Sequence, residues 1–397
     1  MTEEPDRHLP RNVVVLSWVS FFQDAASEML YPVLPIFISQ VLGAPAGVVA
    51  IIEGVAEATA AVMKGASGRL ADVRRRRPMI AAGYSLSGVA KPLIALAQGW
   101  PLVLVSRFLD RTGKGIRGAP RDALITDETP PSQRGRSFGF HRAADTAGAV
   151  VGPLLGLGAY HLLGERLRPL FLLAVIPAGI SVGLIFLVRE RPHLIPPPEH
   201  RPTMPWRELG ASYWRVVSFL VAFAVINFSD ALLLLRANEL GFGVGATFVV
   251  YVLYNLVYAT ASYPAGVLSD RVPRRLVFAA GLVVFAVSYV GLGLARNGAM
   301  VWVLLPLYGL YTALTDGVGK AWVSDRMPAD RSGSGMGTYQ MLTGLGALVA
   351  GIWAGLSWGD DGRVPLVLSG CVAAALAVLC ATGRVGRSPR VTGGAAT

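Results

Sequence analysis

From Arg107 to Asp122 the chain reads Arg-Phe-Leu-Asp-Arg-Thr-Gly-Lys-Gly-Ile-Arg-Gly-Ala-Pro-Arg-Asp, with seven charged side chains, five basic and two acidic. On a helix advancing about 100° per residue, Arg107, Asp110, Arg111, Lys114, Arg117, Arg121 and Asp122 share an arc of about 140°. Apolar flanks place that helix in a membrane, where a charge near the bilayer centre costs roughly 3 kcal/mol unless it meets a partner or water. A face of this kind can bind a charged solute. It can also carry protons, because burial favours the neutral form of a carboxyl and a neighbouring cation favours the charged one. If the helix enters near Pro101 and rises about 1.5 Å per residue, Asp110, Arg111 and Lys114 lie about 14 to 20 Å down, around the midplane. Arg121 and Asp122 then approach the far surface, where snorkelling is enough to explain them and a gate position becomes possible.

Other helices must bring partners. Glu53, Glu57 and Lys64 form one stripe on the second predicted helix, and Asp24 and Glu28 lie one turn apart on the first. The third helix carries Lys91 before Pro92, and the fifth carries His141, Arg142 and Asp145. Asp24, Glu57 and Asp145 are the leading expected proton carriers, with Glu28 and Glu53 beside them. Lys91, Arg107, Asp110, Arg111, Lys114, Arg117, His141 and Arg142 are the expected solute contacts of the first half. In the second half Asn227, Asp230, Tyr254, Asn255, Tyr258 and Asp316 are expected to face the same space, with Lys320 one turn beyond Asp316. The competing reading is a fully paired structural network in which nothing titrates near neutral pH.

Composition sets the solvent. Of the 397 residues 53% are apolar and only 15% charged, against roughly 25% charged in a soluble domain. Pro169 to Val188 and Leu276 to Ala295 each run about 20 residues without a charge, enough to cross a hydrocarbon core about 30 Å thick. The net charge of +11 is concentrated in alternate short loops, including Arg74 to Arg77, Arg271 to Arg275 and Arg384 to Arg390. That alternation is a positive-inside pattern and not a nucleic-acid footprint, and it puts both termini in the cytoplasm of an inner (plasma) membrane protein. Cys371 and Cys380 project from opposite sides of one helix, so neither a disulfide nor a metal pair is expected. No cofactor is expected, since Gly113-Lys114-Gly115 lacks the spacing of a phosphate loop. His141 has no nucleophile arranged beside it, which argues against an intramembrane enzyme. The first apolar run, interrupted by Asp24 and Glu28, reads as a retained helix and not a cleaved signal.

The hydrophobic pattern predicts an all-α integral membrane protein of twelve transmembrane helices, beginning near residues 12, 46, 78, 101, 138, 168, 213, 243, 275, 299, 333 and 364. The Pro- and Arg-rich stretch 191–211 reads as a cytoplasmic linker between two six-helix bundles, 1–190 and 212–397. An internal repeat supports the division. Gly68-Arg69-Leu70-Ala71-Asp72 and Gly266-Val267-Leu268-Ser269-Asp270 are 198 residues apart, and the same offset pairs Leu42-Gly43 with Leu240-Gly241, Asp127 with Asp325, and Gly148 with Gly346.

These repeated loops resemble the signature between the second and third helices of the major facilitator superfamily, with Arg74 or Pro273 where the family usually has a glycine. The resemblance covers nearly the whole chain. It implies two pseudo-symmetric bundles that rock about a central site, opening it to one side at a time. In this reading Gly68, Asp72, Arg75, Gly266, Asp270 and Arg274, together with Arg121 and Asp122, form a cytoplasmic gate in which carboxylates bind neighbouring arginines. A second run, Gly148-x-x-x-Gly152-Pro153-x-x-Gly156, resembles the superfamily's antiporter motif, although small residues four apart also serve plain helix packing. The expected function is a monomeric secondary transporter of a small organic solute, most simply proton-coupled efflux. Proton-coupled uptake of an organic anion by Arg111, Lys114 and Arg117 is the alternative, and a non-transporting membrane protein is a further one.

Overall fold

The structure is a computed structural model that describes residues 9–71, 74–129, 134–190, 209–326 and 332–383. Asp72 and nearly all of the expected linker at 191–211 lie outside the described residues. Among the described residues the regular elements are helices: α1 (Arg11–Glu28), α2 (Leu34–Ile36), α3 (Ala46–Ala71), α4 (Arg76–Leu96), α5 (Trp100–Glu128), α6 (Arg134–Leu162), α7 (Leu167–Leu173), α8 (Val175–Ile185), α9 (Ala211–Ala224), α10 (Asp230–Glu239), α11 (Val244–Arg271), α12 (Arg274–Leu294), α13 (Val301–Ser324), α14 (Ser332–Leu356) and α15 (Arg363–Ala381). Nine helical segments in the described residues are long and apolar enough to cross a membrane. The 29-residue α5 and α6 are long enough but more polar.

Three stretches that the hydrophobic pattern predicts as single helices are interrupted. After α1 the chain makes a 3-10 turn at Tyr31–Val33, the short α2, and a π-helical turn at Phe37–Val41. Pro32 and Pro35 supply no backbone N–H there, so a regular ladder cannot continue. The break at Ala174 has the same cause, because Pro177 cannot donate to the carbonyl of Leu173 at the end of α7. Between α9 and α10 there is no proline. Ser229 instead starts α10 by accepting the Ala231 N–H at 3.3 Å, leaving Asn227 in the gap.

Helices α1 to α8 pack mainly on one another, with α5 held between α3 and α4 and α1 against α6 and α8. Helices α9 to α15 form a second group in which α12 contacts α13 and α15, and α11 contacts α13. The groups meet along α3 with α14 and along α6 with α11. At the α3–α14 seam glycine permits backbone contact. A Cβ on Gly351 would lie 2.6 Å from the Ala50 carbonyl oxygen, and one on Gly355 would lie 2.9 Å from that of Gly47. Gly148, Gly152 and Gly156 do the same within the first group, facing the carbonyls of Phe21, Ala25 and Met29 on α1. The Gly-x-x-x-Gly-Pro run is therefore a packing surface, and it sets Asp24 of α1 beside α6.

The offset of 198 recurs as physical contact. Tyr31 Oη lies 3.2 Å from Ser229 Oγ, and Gln40 Nε2 donates to Asn238 Oδ1 at 2.7 Å, each pair joining residues 198 apart. Arg76 binds Asp127 in the first group, and Arg274 binds Asp325 at 2.8 Å in the second, at positions again 198 apart.

Replacing Gly351 tests the α3–α14 seam. Gly351→Ala should lower the melting temperature of the purified protein in detergent, and Gly351→Val should lower it further, because the added atoms have no space. A Gly351→Val protein that melts with the wild type would contradict close packing there.

Candidate functional site

The charged arc of α5 divides between two environments. At its start Arg107 donates from Nε and a terminal nitrogen to both oxygens of Glu53, at 2.8 and 2.6 Å, with both side chains almost wholly buried. Asp110 lies 3.7 Å from Arg107 and 4.0 Å from Lys91, whose amine also donates to Ser27 Oγ at 3.2 Å. His141 is buried between α1 and α6, with Nδ1 3.4 Å from Ser17 Oγ. Bidentate geometry and multiple partners make such burial tolerable, since removing one member of a buried pair strands the other. Glu53, Lys91, Arg107, Asp110 and His141, expected as proton groups or solute contacts, thus sit inside the first helix group and do not line the central cavity. A helical arc specifies direction around one axis only, and α5 shares its arc with α3 and α4 as well as with the space between the groups.

Further along, the arc faces a cavity of about 600 Å³ between the two groups, within the range of small-molecule sites. Of the residues expected from the sequence, Asp24, Glu57, Lys114, Arg117, Arg121, Asp122, Arg142, Asp145, Asn227 and Asp316 line it. Glu57 binds Arg111 at 3.1 Å, Arg142 binds Asp145 at 3.3 Å, and Lys320 binds Asp316 at 2.6 Å. Tyr258 also donates to Asp316, at 3.0 Å. Arg121 pairs with Asp122 at 3.0 Å and reaches across to Ser20 Oγ at 2.9 Å. Arg117 donates to Ser87 Oγ at 2.6 Å, and its guanidinium lies 4.4 Å from the centre of the Tyr84 ring, a cation–π contact. Asp24 of α1 and Asp145 of α6 line the same cavity, where a Cβ on Gly148 of α6 would lie 3.2 Å from Asp24 Cβ.

Tyr339, Gln340 and Thr343 of α14 also line the cavity and were not anticipated. Their signal was the clustering of three polar side chains in an apolar helix that carries no charge to draw notice.

Asp230, Tyr254, Asn255 and Tyr258, also expected in the second half, do not line the cavity. Asp230 accepts from Tyr254 at 3.0 Å and Tyr308 at 2.7 Å, and Tyr251 donates to Glu28 across the groups at 2.6 Å. Asn255 spends its amide on the Tyr251 carbonyl of its own helix, at 3.0 Å, whereas Asn227, at the cavity wall, donates to Tyr311 at 2.9 Å. Of the expected gate, the carboxylate Asp270 has the neighbouring Arg274 beside it, and Asp72 lies outside the described residues. Arg274 lies 3.7 Å from Asp270 and binds Asp325, so it ties α12 to the end of α13 inside one group. Gly68 and Gly266 lie in the last turns of α3 and α11, and Arg75 is exposed just before α4. Loops that short keep an arginine within reach of its own bundle.

The profile of the Major Facilitator Superfamily matches residues 16–254 and 216–396. An uncharacterised MFS-type transporter of Methanocaldococcus jannaschii is 32% identical over 89% of this chain and 90% of its own length. A multidrug resistance protein MdtH of Edwardsiella ictaluri is 24% identical over 84% of this chain and 82% of its own. Among solved structures, a peptide transporter POT aligns with a TM-score of 0.81 at 15% identity, covering 96% of this chain and 97% of the other. An inward-facing bacterial homologue of the lysosomal transporter Spinster aligns with a TM-score of 0.75 at 15% identity, covering 95% and 98%.

The buried pair yields a double-mutant cycle. Glu53→Met and Arg107→Met should each destabilise by about 3–5 kcal/mol, while the double variant should lose less than the sum, because neither charge is then stranded. Thermal or denaturant unfolding of the purified variants reads this directly. Additive losses would mean that the pair is not coupled.

Proposed function

The chain belongs to the major facilitator superfamily, and from that premise we propose that it is a proton-coupled secondary transporter exporting a small organic solute by alternating access. It is a transporter and not an enzyme. The observation that carries the proton coupling is the placing of Asp24 and Asp145 on one cavity wall, with Asp145 paired to Arg142 and Arg121 lining the same space. A proton taken up by either carboxyl neutralises it. Its departure leaves two like charges side by side, an arrangement relieved by a cation or by movement of α1 against α6. Glu57, half exposed and paired with Arg111, serves as the third titrating group: a solute that engages the arginine frees the carboxylate to take a proton. Competition of this kind links the two fluxes.

The nine apolar spans, together with α5, α6 and the broken pair α9–α10, make twelve crossings in two six-helix units. Contacts between residues 198 apart support that duplication. In the proposed orientation the arginine-rich loops face the cytoplasm of the inner membrane, both termini lie there, and the cavity opens toward them. Contacts such as Gln40 with Asn238 and Tyr251 with Glu28 close the opposite side. Rocking of the units would break these contacts and close the cytoplasmic mouth. The name of the MdtH relatives supports export over uptake.

Reconstitution in proteoliposomes with an imposed proton gradient tests the reading. Flux of a transported solute should reverse when the gradient is reversed, and Asp24→Asn and Asp145→Asn should each abolish gradient-driven accumulation while leaving insertion and exchange intact. Gradient-driven flux that survives in Asp24→Asn, Asp145→Asn and Glu57→Gln alike would remove the coupling assignment. Accumulation in the same direction as the protons would replace export with uptake.

A further inference from the structure

Of the 36 basic residues in the chain only four are lysine, and none of the four lies in a loop. Lys91 belongs to the buried network, whereas Lys64, Lys114 and Lys320 all line the central cavity. Arginine supplies every other cation in the chain, so lysine is confined to the interior of the helix bundle. The two side chains differ in ways that matter there. Arginine is a rigid fork suited to fixed carboxylates, as at Glu53. Lysine is a compact charge on a flexible stem with three rotatable donors, able to follow a ligand.

The other cavity charges are largely matched inside the protein. Glu57 has Arg111, Asp122 has Arg121, Asp145 has Arg142 and Asp316 has Lys320, while Arg117 is fixed by Ser87 and Tyr84. The amines of Lys64 and Lys114 make no hydrogen bond or ion pair among the described residues. They are also neighbours. α3 and α5 touch where a Cβ on Gly115 would lie 3.1 Å from the Lys64 backbone nitrogen, and Ser67 Oγ donates to the Gly115 carbonyl at 2.8 Å. Lys320 of the other helix group lines the same cavity, as does Asp122. Three lysines from two units thus line one cavity of about 600 Å³. The rest of the wall is small or neutral and polar: Ala60, Ala61, Gln340, Thr343 and Gly344, with Tyr339 its one aromatic ring. A site for a lipophilic cation would instead present several aromatic and apolar side chains.

We propose that Lys64 and Lys114, with Lys320 across the cavity, form the binding site for an oxyanion, a carboxylate or phosphate group carried by a small hydrophilic solute. The inference rests on the transport reading and names its substrate class. The anion supplies the direct ion-pair partner that Lys64 and Lys114 do not have among the described residues, in a cavity whose acids Asp24, Glu57 and Asp122 remain close by. Because Lys320 belongs to the second unit, an anion that engages it as well draws the two units together, so that binding itself favours closure over the solute. Asp316 holds Lys320 back until then.

Binding is measured on the solubilised protein, where no gradient exists, by melting-temperature titration at constant ionic strength. The probes are succinate, inorganic phosphate, neutral glycerol and tetraphenylphosphonium, with chloride as background. Succinate or phosphate should stabilise in a saturable way, and whichever saturates at the lower concentration identifies the oxyanion. Lys64→Gln and Lys114→Gln should each weaken that apparent affinity about tenfold or more, as expected for loss of a charge-assisted hydrogen bond. Lys64→Arg should keep part of it, and Arg363→Gln, at an exposed helix start, should change nothing. Size-exclusion profiles show whether each variant is folded, and Lys64→Arg carries the test if Lys64→Gln is not. No saturable effect of either oxyanion, an unchanged effect in both glutamine variants, or stabilisation by tetraphenylphosphonium alone overturns the proposal. Since the readout needs no flux, loss of transport in liposomes and loss of oxyanion binding are separate results.

Discussion

Glu53 accepts both hydrogen bonds of the Arg107 guanidinium at a depth where neither side chain reaches water, and the placing of α5 follows from that pairing. A cation carried into a membrane on one helix has to be met by a carboxylate on another, which fixes the rotation of α5 against α3 at its first turns. With the rotation set there, residues one to four turns later have their directions determined. Lys114, Arg117 and Arg121 must then emerge between the two helix groups. The buried pair does no chemistry itself. It orients the residues that can.

The two helix groups divide the work unequally. In the first, ionic contacts fill the interior and supply most of the charge lining the cavity. In the second the interior is aromatic, with Phe285 and Tyr289 stacked, Tyr308 and Tyr311 tilted against them in turn, and Asp230 held by two phenols. Aromatic packing is stiff and needs little compensation in a low-dielectric setting, whereas ion pairs can change partners. A transport cycle built on this division would switch in the first unit and move the second as a rigid counterpart.

Much of this was legible in the sequence. Helix starts followed from apolar run length and lie within a few residues of those in the structure, because span length is set by bilayer thickness and not by tertiary detail. The 198-residue offset was legible for the same reason that it recurs as contacts between Tyr31 and Ser229 or Gln40 and Asn238. The interruptions near Pro32, Pro35 and Pro177 were less so, since membrane helices often absorb a proline and only neighbouring packing decides whether one breaks. Periodicity also could not separate Asp110 from Lys114. Both lie on the charged arc, yet one faces Lys91 and Arg107 while the other faces the cavity. Neutral lining residues such as Gln340 and Thr343 gave too weak a signal against an apolar helix.

The hydrogen bond from Gln40 to Asn238 bears on the origin of the chain. When two identical subunits meet about a two-fold axis, a residue on the axis faces its own copy, and like must pair with like. Here the two positions occupy one chain, and duplication has allowed them to diverge: an amide of one length donates to an amide of another, and a phenol meets a hydroxyl at Tyr31 and Ser229. A symmetric dimer could not assign donor and acceptor at such a point, because each copy would claim the same role. With both positions in one polypeptide the two sides can differ, so donor and acceptor are assigned at this point.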